Sequence, residues 1–184
     1  DELDNLVESG LARQADSTTY DVHDLIREFL LRSLSPALKE EFHAKCMEWY
    51  EKQSPSNEVA IELIYHAIQS NQFETASEII MDKGRHLVSQ GHMELLGLLE
   101  RIDTSDLESK TVVLLGQLQG DILALLGRLA TAEEVLNKAL EGAKAANNPS
   151  IEAEILSSLA DVSRKQGNSD VTLSRHKEAL KHYI

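Results

Sequence analysis

Apolar residues recur along this chain at helical spacing, in segments separated by short polar breaks. Leu3, Leu6 and Val7 share one face of a first helix, with Gly10 placed to cap it. Leu11 to Gln14 and Thr19 to Val22 then flank the polar tip 15–18, the pattern of a short β-hairpin. Val22, Leu25, Ile26, Phe29, Leu30 and Leu34 predict a helix from about Val22 to Leu34, with Asp21 as its N-cap. Ser35-Pro36 breaks it and opens another helix, whose expected buried stripe is Leu38, Phe42, Cys46, Trp49 and Tyr50. Ser54-Pro55-Ser56 is the clearest punctuation and the expected domain boundary. Beyond it, Ala60, Ile64, Ala67 and Ile68 predict one helix, and Phe73, Ala76, Ile79 and Ile80 a second that ends near Gly84. A further pair, His86–Gln90 and His92–Arg101, is expected to join at Gly91.

From Lys110 onward the pattern repeats itself. Gly120-Asp121, Gly127, Ala132 and Ala139-Leu140 are answered forty residues later by Ala160-Asp161, Gly167, Thr172 and Ala179-Leu180. A fixed offset between small residues marks stacked repeats, because small side chains let helices approach closely. The first helix B runs on through 141–146 and is stopped by Asn147-Asn148-Pro149.

The intervals inside each copy resemble the tetratricopeptide (TPR) pattern, in which a small residue lies mid-way along helix A, a Gly at the turn and two Ala on helix B. The family period is about 34 residues, so these copies are longer. Gly116 stands where the family has a bulky aromatic, and Thr172 and His176 depart from the pattern in the second copy. The resemblance implies an all-α fold, a right-handed solenoid of about four helical hairpins over 57–184. It also implies that Gln117, Asp121, Glu154, Ser157, Asp161, Arg164 and Lys165, on helices A, face a concave groove. Their mixed charge suits a protein or peptide ligand.

Composition agrees with a helical reading. Pro is limited to 3 and Gly to 9 residues, while Leu, Ala and Glu abound. The net charge of −13 is concentrated upstream: residues 1–50 hold 11 acidic and 5 basic side chains, and 51–100 hold 8 and 3. A phosphate backbone would be repelled there, which disfavours direct nucleic-acid binding. The single cysteine, Cys46, cannot form an internal disulfide and points to a reducing, cytoplasmic setting. No apolar run approaches the ~20 residues needed to span a bilayer. The start at Asp1, without Met or a charged leader, is that of a piece of something larger.

Little in the chain predicts catalysis. There is no phosphate-cradling Gly-x-x-x-x-Gly-Lys-Ser/Thr, no Gly-x-Ser-x-Gly and no His-Glu-x-x-His. His43 and Cys46 lie at i, i+3, but two ligands are too few for a structural zinc site, and Cys46 sits on the apolar stripe. His86, His92, His176 and His182 are scattered. The stretch Tyr20-Asp21-Val22-His23-Asp24-Leu25-Ile26-Arg27 is different, because it resembles the Met-His-Asp motif of the STAND signalling NTPases (the NB-ARC and AP-ATPase group). In that family the motif closes a winged-helix domain, and its His reaches the β-phosphate of ADP held by the neighbouring ATPase domain. Helices and a superhelical sensor follow it. The resemblance implies that 1–53 is a winged-helix remnant with linker helices, and that His23 is the nucleotide sensor. An ATPase domain in cis would then precede Asp1, bringing ADP or ATP, with oligomer formation in the active state. Val22 in place of Met is a mild departure.

The expected function is therefore that of a non-catalytic sensor region, which binds a protein, peptide or inducer and controls an NTPase or transcription regulator. The alternative is a free-standing TPR adaptor. A DNA-binding winged helix is disfavoured, since Asp1–Ser9 carries Asp1, Glu2, Asp4 and Glu8 and no base.

Overall fold

The computed structural model describes residues 2–14, 20–22 and 24–181. They form a mostly helical chain with one small antiparallel sheet. Helix α1 (Glu2–Glu8) ends on Gly10, whose φ of +72° lets the Leu11 N–H return to the Leu6 carbonyl at 3.0 Å. Strands β1 (Ala12–Gln14) and β2 (Tyr20–Val22) pair with Arg13 opposite Asp21, and the Arg13 guanidinium donates to the Asp21 carboxylate at 3.2 Å. Asp21 and Val22 are thus strand residues, and helix α2 (Asp24–Ser33) begins after them. The expected N-cap at Asp21 is overturned because cross-strand pairing takes that residue. The hairpin tip 15–18 lies outside the described residues, as does His23.

Helix α3 (Pro36–Tyr50) starts as its sequence dictates, with Ser35 Oγ accepting from the Leu38 N–H at 3.3 Å and Pro36 in the first turn. Its buried face is another matter. Met47 is 4% exposed, whereas Phe42 and Trp49 from the expected stripe are 45% and 57% exposed. The helix packs on α4 (Asn57–Gln69), and one neighbour covers only a narrow strip of its surface. Ser56 Oγ caps α4 by accepting from the Val59 N–H at 3.2 Å, so a new helix starts just after the 54–56 break.

Helix α5 (Phe73–Ser89) runs unbroken through Gly84. The expected stop there fails because Gly84 serves packing. A Cβ at that position would lie 2.6 Å from Leu118 Cδ2, so the missing side chain is what admits α7 (Ser109–Leu125). Of the expected pair, His86–Gln90 is the end of α5, and the short α6 (Leu95–Leu99) stands in place of His92–Arg101. Helices α8 (Leu129–Ala145), α9 (Pro149–Lys165) and α10 (Ser169–Lys181) complete the described chain.

The forty-residue register is kept in three dimensions. The starts of α7 and α9, Ser109 and Pro149, are forty apart, as are those of α8 and α10, Leu129 and Ser169. Gly127 and Gly167 take φ of +76° and +81°, a region glycine enters without steric penalty. Each closes its helix by the same bond: the Arg128 N–H reaches the Leu123 carbonyl at 2.9 Å, and the Asn168 N–H reaches Ser163 at 2.9 Å. Asn71 and Asn147, also left-handed, end α4 and α8 in the same way.

Each helix packs on the next within the pairs α4–α5, α7–α8 and α9–α10, and α8 also packs on α9. Contacts of α5 with α7, and of α7 with α9, set those three side by side in a row. One apolar cluster extends from Met47 to Ala179, with Ile64, Ile80, Leu87, Ile122, Leu136 and Ile155 fully buried in it. A polar clamp holds the last three helices together. Arg175 Nη2 donates to Glu133 Oε1 at 2.6 Å, and its Nη1 donates to the Leu159 carbonyl at 2.9 Å and to Ser163 Oγ.

Candidate functional site

The residues expected to face a groove come from α7 and α9, neighbours in the α5–α7–α9 row. Gln117 and Asp121 stand one turn apart on α7 and therefore share a face. On α9, Glu154, Ser157, Asp161 and Lys165 follow each other at helical spacing.

Asp121 is the centre of the group. It is half-buried, and the Ser158 hydroxyl donates to it. Burial raises its pKa above the usual carboxylate value, and the nearby Asp161 and Glu154 charges push the same way. The Ser158 hydrogen bond and the Arg85 charge oppose this without cancelling it. Arg85 comes from α5 and donates through Nη2 to Glu154 Oε2 at 2.7 Å, joining residues 69 apart in sequence. Asp161 accepts from Arg164 Nη2 at 2.9 Å and from Nε at 3.3 Å within the same helix. The face is thus a patch of mixed charge in which Arg85 pairs with Glu154 and acts on Asp121, while Arg164 pairs with Asp161.

Three of the expected groove residues are otherwise engaged. Gln117 is 3% exposed, and its Oε1 has no hydrogen-bond partner among the described residues. It is enclosed between helices rather than presented to a groove, unlike Asp121 one turn away. Ser157 Oγ donates to the Ala153 carbonyl at 3.0 Å, a bond internal to α9. Lys165 Nζ donates to the Ala124 carbonyl at 2.8 Å, tying the end of α9 to the end of α7. Arg85 and Ser158 were missed from sequence. Once Gly84 is taken as a helix end, Arg85 falls in a turn, and nothing aligns it with α9.

A second polar group lies at the α3–α4 contact. His43 Nδ1 and His66 Nδ1 are 2.7 Å apart, Tyr50 stacks on the His66 ring, and Tyr65 meets both imidazoles edge-on. Burial lowers the pKa of each histidine; the Arg101 charge adds to this at His43, and His43 itself adds to it at His66. Cys46 is partly covered and its thiol pKa is raised, by burial first and then by Glu62. Among the described residues no group of three or more His, Cys, Asp or Glu is placed to hold a metal.

Among the described residues no helix is long and apolar enough to cross a membrane. Comparison with known proteins finds no matching family model, no matching curated protein and no matching solved structure.

Proposed function

We propose that this chain is the non-catalytic, partner-sensing region of a larger signalling protein. Residues 57–184 are then TPR-like repeats in a right-handed solenoid, and 1–53 are the end of a winged-helix unit. The observation that supports this is the identity of the two hairpins α7–α8 and α9–α10, alike in start, turn geometry and forty-residue register. Repeats of this kind bury their cores against each other and leave a continuous face for a partner. In this reading the face is the α5–α7–α9 row, and Asp121, Glu154, Asp161 and Arg85 meet a protein or peptide ligand there.

The motif around His23 resembles that of the STAND NTPases, and from this we infer an ATPase domain upstream whose ADP the His23 imidazole contacts. Partner binding would change the relative free energy of the ADP and ATP states and so release self-association. The test uses the longer protein that the resemblance implies, comparing wild type with His23→Ala for bound nucleotide and for mass in solution. Wild type is expected to carry ADP as a monomer, and the variant to lose ADP or assemble. If neither property changes, the nucleotide reading fails and the chain acts as a TPR adaptor.

A further inference from the structure

A cavity of about 830 Å³ lies between the first half of α7, the second half of α8 and the segment 104–107. That volume falls within the ~300–1,000 Å³ range of small-molecule sites. Its origin can be read from the internal repeat. Gly116 and Gln119 line it, one turn apart on α7. Their counterparts forty residues later are Leu156 and Leu159, which are 2% and 1% exposed. By the same register Leu156 stands opposite Ala179 as Gly116 stands opposite Ala139, and the Gly116 position has room for a Cβ 3.5 Å from that of Ala139. The Leu156 side chain that fills the α9–α10 hairpin is therefore missing between α7 and α8, and Gln119 puts an amide where Leu159 is apolar. The covering helix is curtailed as well: α9 is preceded by the 17-residue α8, but α7 only by the 5-residue α6.

The opening is a groove open on one side, since Lys138, Ala145 and Ala146 in its lining are exposed, and Gly116 in place of a leucine leaves its floor uncovered. The lining is mainly aliphatic, with Leu107, Val113 and Leu115 among its walls. Lys138, exposed at the rim, is the one charged residue that lines it, and it makes no ion pair or hydrogen bond among the described residues. Gln119 and Asp121, two residues apart, project from α7 about 200° apart. The cavity therefore lies on the side of α7 away from the partner-binding face, and it stands or falls independently of that reading.

We propose that this cavity binds a small organic molecule with an aliphatic body and a carboxylate, the body lying over Gly116 and the carboxylate meeting Lys138 Nζ. Such a molecule restores the apolar filling that Leu156 supplies one repeat later, and its carboxylate pairs with the Lys138 ammonium. The site thereby gives the chain a small-molecule input separate from its protein partner.

Decanoate and decanol serve as probes, titrated by calorimetry into the intact chain and three variants. Wild type is expected to bind decanoate below millimolar concentration. Gly116→Leu, which installs the residue found on α9, and the smaller Gly116→Val should each keep the fold and weaken both probes, the leucine by about tenfold or more, because the side chain occupies the ligand's place. Lys138→Gln should weaken decanoate about fivefold, the value of a partly exposed ion pair, and leave decanol unchanged. The proposal is overturned if wild type does not bind decanoate at millimolar concentration, or if folded Gly116→Leu and Gly116→Val bind as wild type does. Equal losses of decanoate and decanol in Lys138→Gln overturn the assignment of the carboxylate.

Discussion

The Arg175 guanidinium on α10 lies 2.6 Å from the Glu133 carboxylate on α8, and the two residues are 42 apart in sequence. Gln166 Nε2 donates to the other oxygen of the same carboxylate at 3.1 Å, so α8, α9 and α10 meet at one anion. Both side chains are mostly covered, which limits screening by solvent. Hydrogen bonds to charged groups contribute about 1.5–3 kcal/mol. Arg175→Met should therefore lower unfolding free energy by about 2 kcal/mol in urea titration. Glu133→Gln, which still accepts a hydrogen bond, should lower it less. A change below about 0.5 kcal/mol for Arg175→Met would show that the clamp adds nothing beyond packing.

The His43–His66 contact makes stability depend on pH. One Nδ1 must donate and the other accept, so protonation of both rings leaves no acceptor and sets two cations side by side. Arg101 lies close enough to act on His43, and Glu62, Cys46, Tyr50 and Tyr65 complete the surroundings. Both folded pKa values are lowered from 6.5, so the stabilisation is fully present above 6.5 and is lost as pH falls below it. The urea midpoint should hold above about pH 6.5 and drop as pH falls below it. His43→Leu should flatten that slope, and an unchanged slope in the variant would remove the pair as its cause.

Asp121 responds in the opposite sense. Its folded pKa is raised from 3.8, so its protonated form is favoured in the native state, and its contribution is lost as pH rises through the folded value. Asp121→Asn should therefore leave stability unchanged or raise it at neutral pH, with a smaller dependence on pH above 3.8. A clear loss of thermal stability at neutral pH in this variant would mean that the carboxylate is needed in its ionised form.

Gly120 allows α7 and α8 to touch. A Cβ there would lie 2.5 Å from Leu136 Cγ, at a branch point that cannot swing aside without moving the whole side chain. Gly120→Ala should cost about 1–3 kcal/mol by overpacking, even though the equivalent residue on α9 is Ala160. Gly97 on α6 has nothing within 4 Å of its Cβ position, so Gly97→Ala should stabilise by about 0.5–1 kcal/mol. Chemical denaturation of the two variants would separate close packing from helix propensity.

Local signals carried much of this fold. Gly10, Ser35-Pro36, Ser56, Gly127 and Asn147-Asn148-Pro149 mark element ends because each acts through its own backbone or nearest neighbours. Gly84 misled for the converse reason: its role depends on Leu118, 34 residues away, and nothing in its own segment distinguishes a close approach from a stop. The α3 stripe failed similarly, since Phe42 and Trp49 are apolar at helical spacing yet among the described residues α4 is the main element packed on that helix. Within the candidate face, Asp121 and Asp161 were visible as repeat equivalents. Arg85 is joined to them only through packing across the row, which no periodicity encodes.

The claim that matters most is that the α5–α7–α9 face receives a partner. A displayed peptide library selected on the intact chain tests it, with the recovered peptides measured again on two charge-reversed forms. Glu154→Lys combined with Asp161→Lys alters the face, while Glu141→Lys alters an exposed position on α8, and both should retain wild-type helicity by circular dichroism. Loss of about tenfold or more in affinity for the double variant, with binding kept by Glu141→Lys, is the predicted result. Peptides that bind the folded double variant as tightly as wild type would place the partner elsewhere and contradict the account.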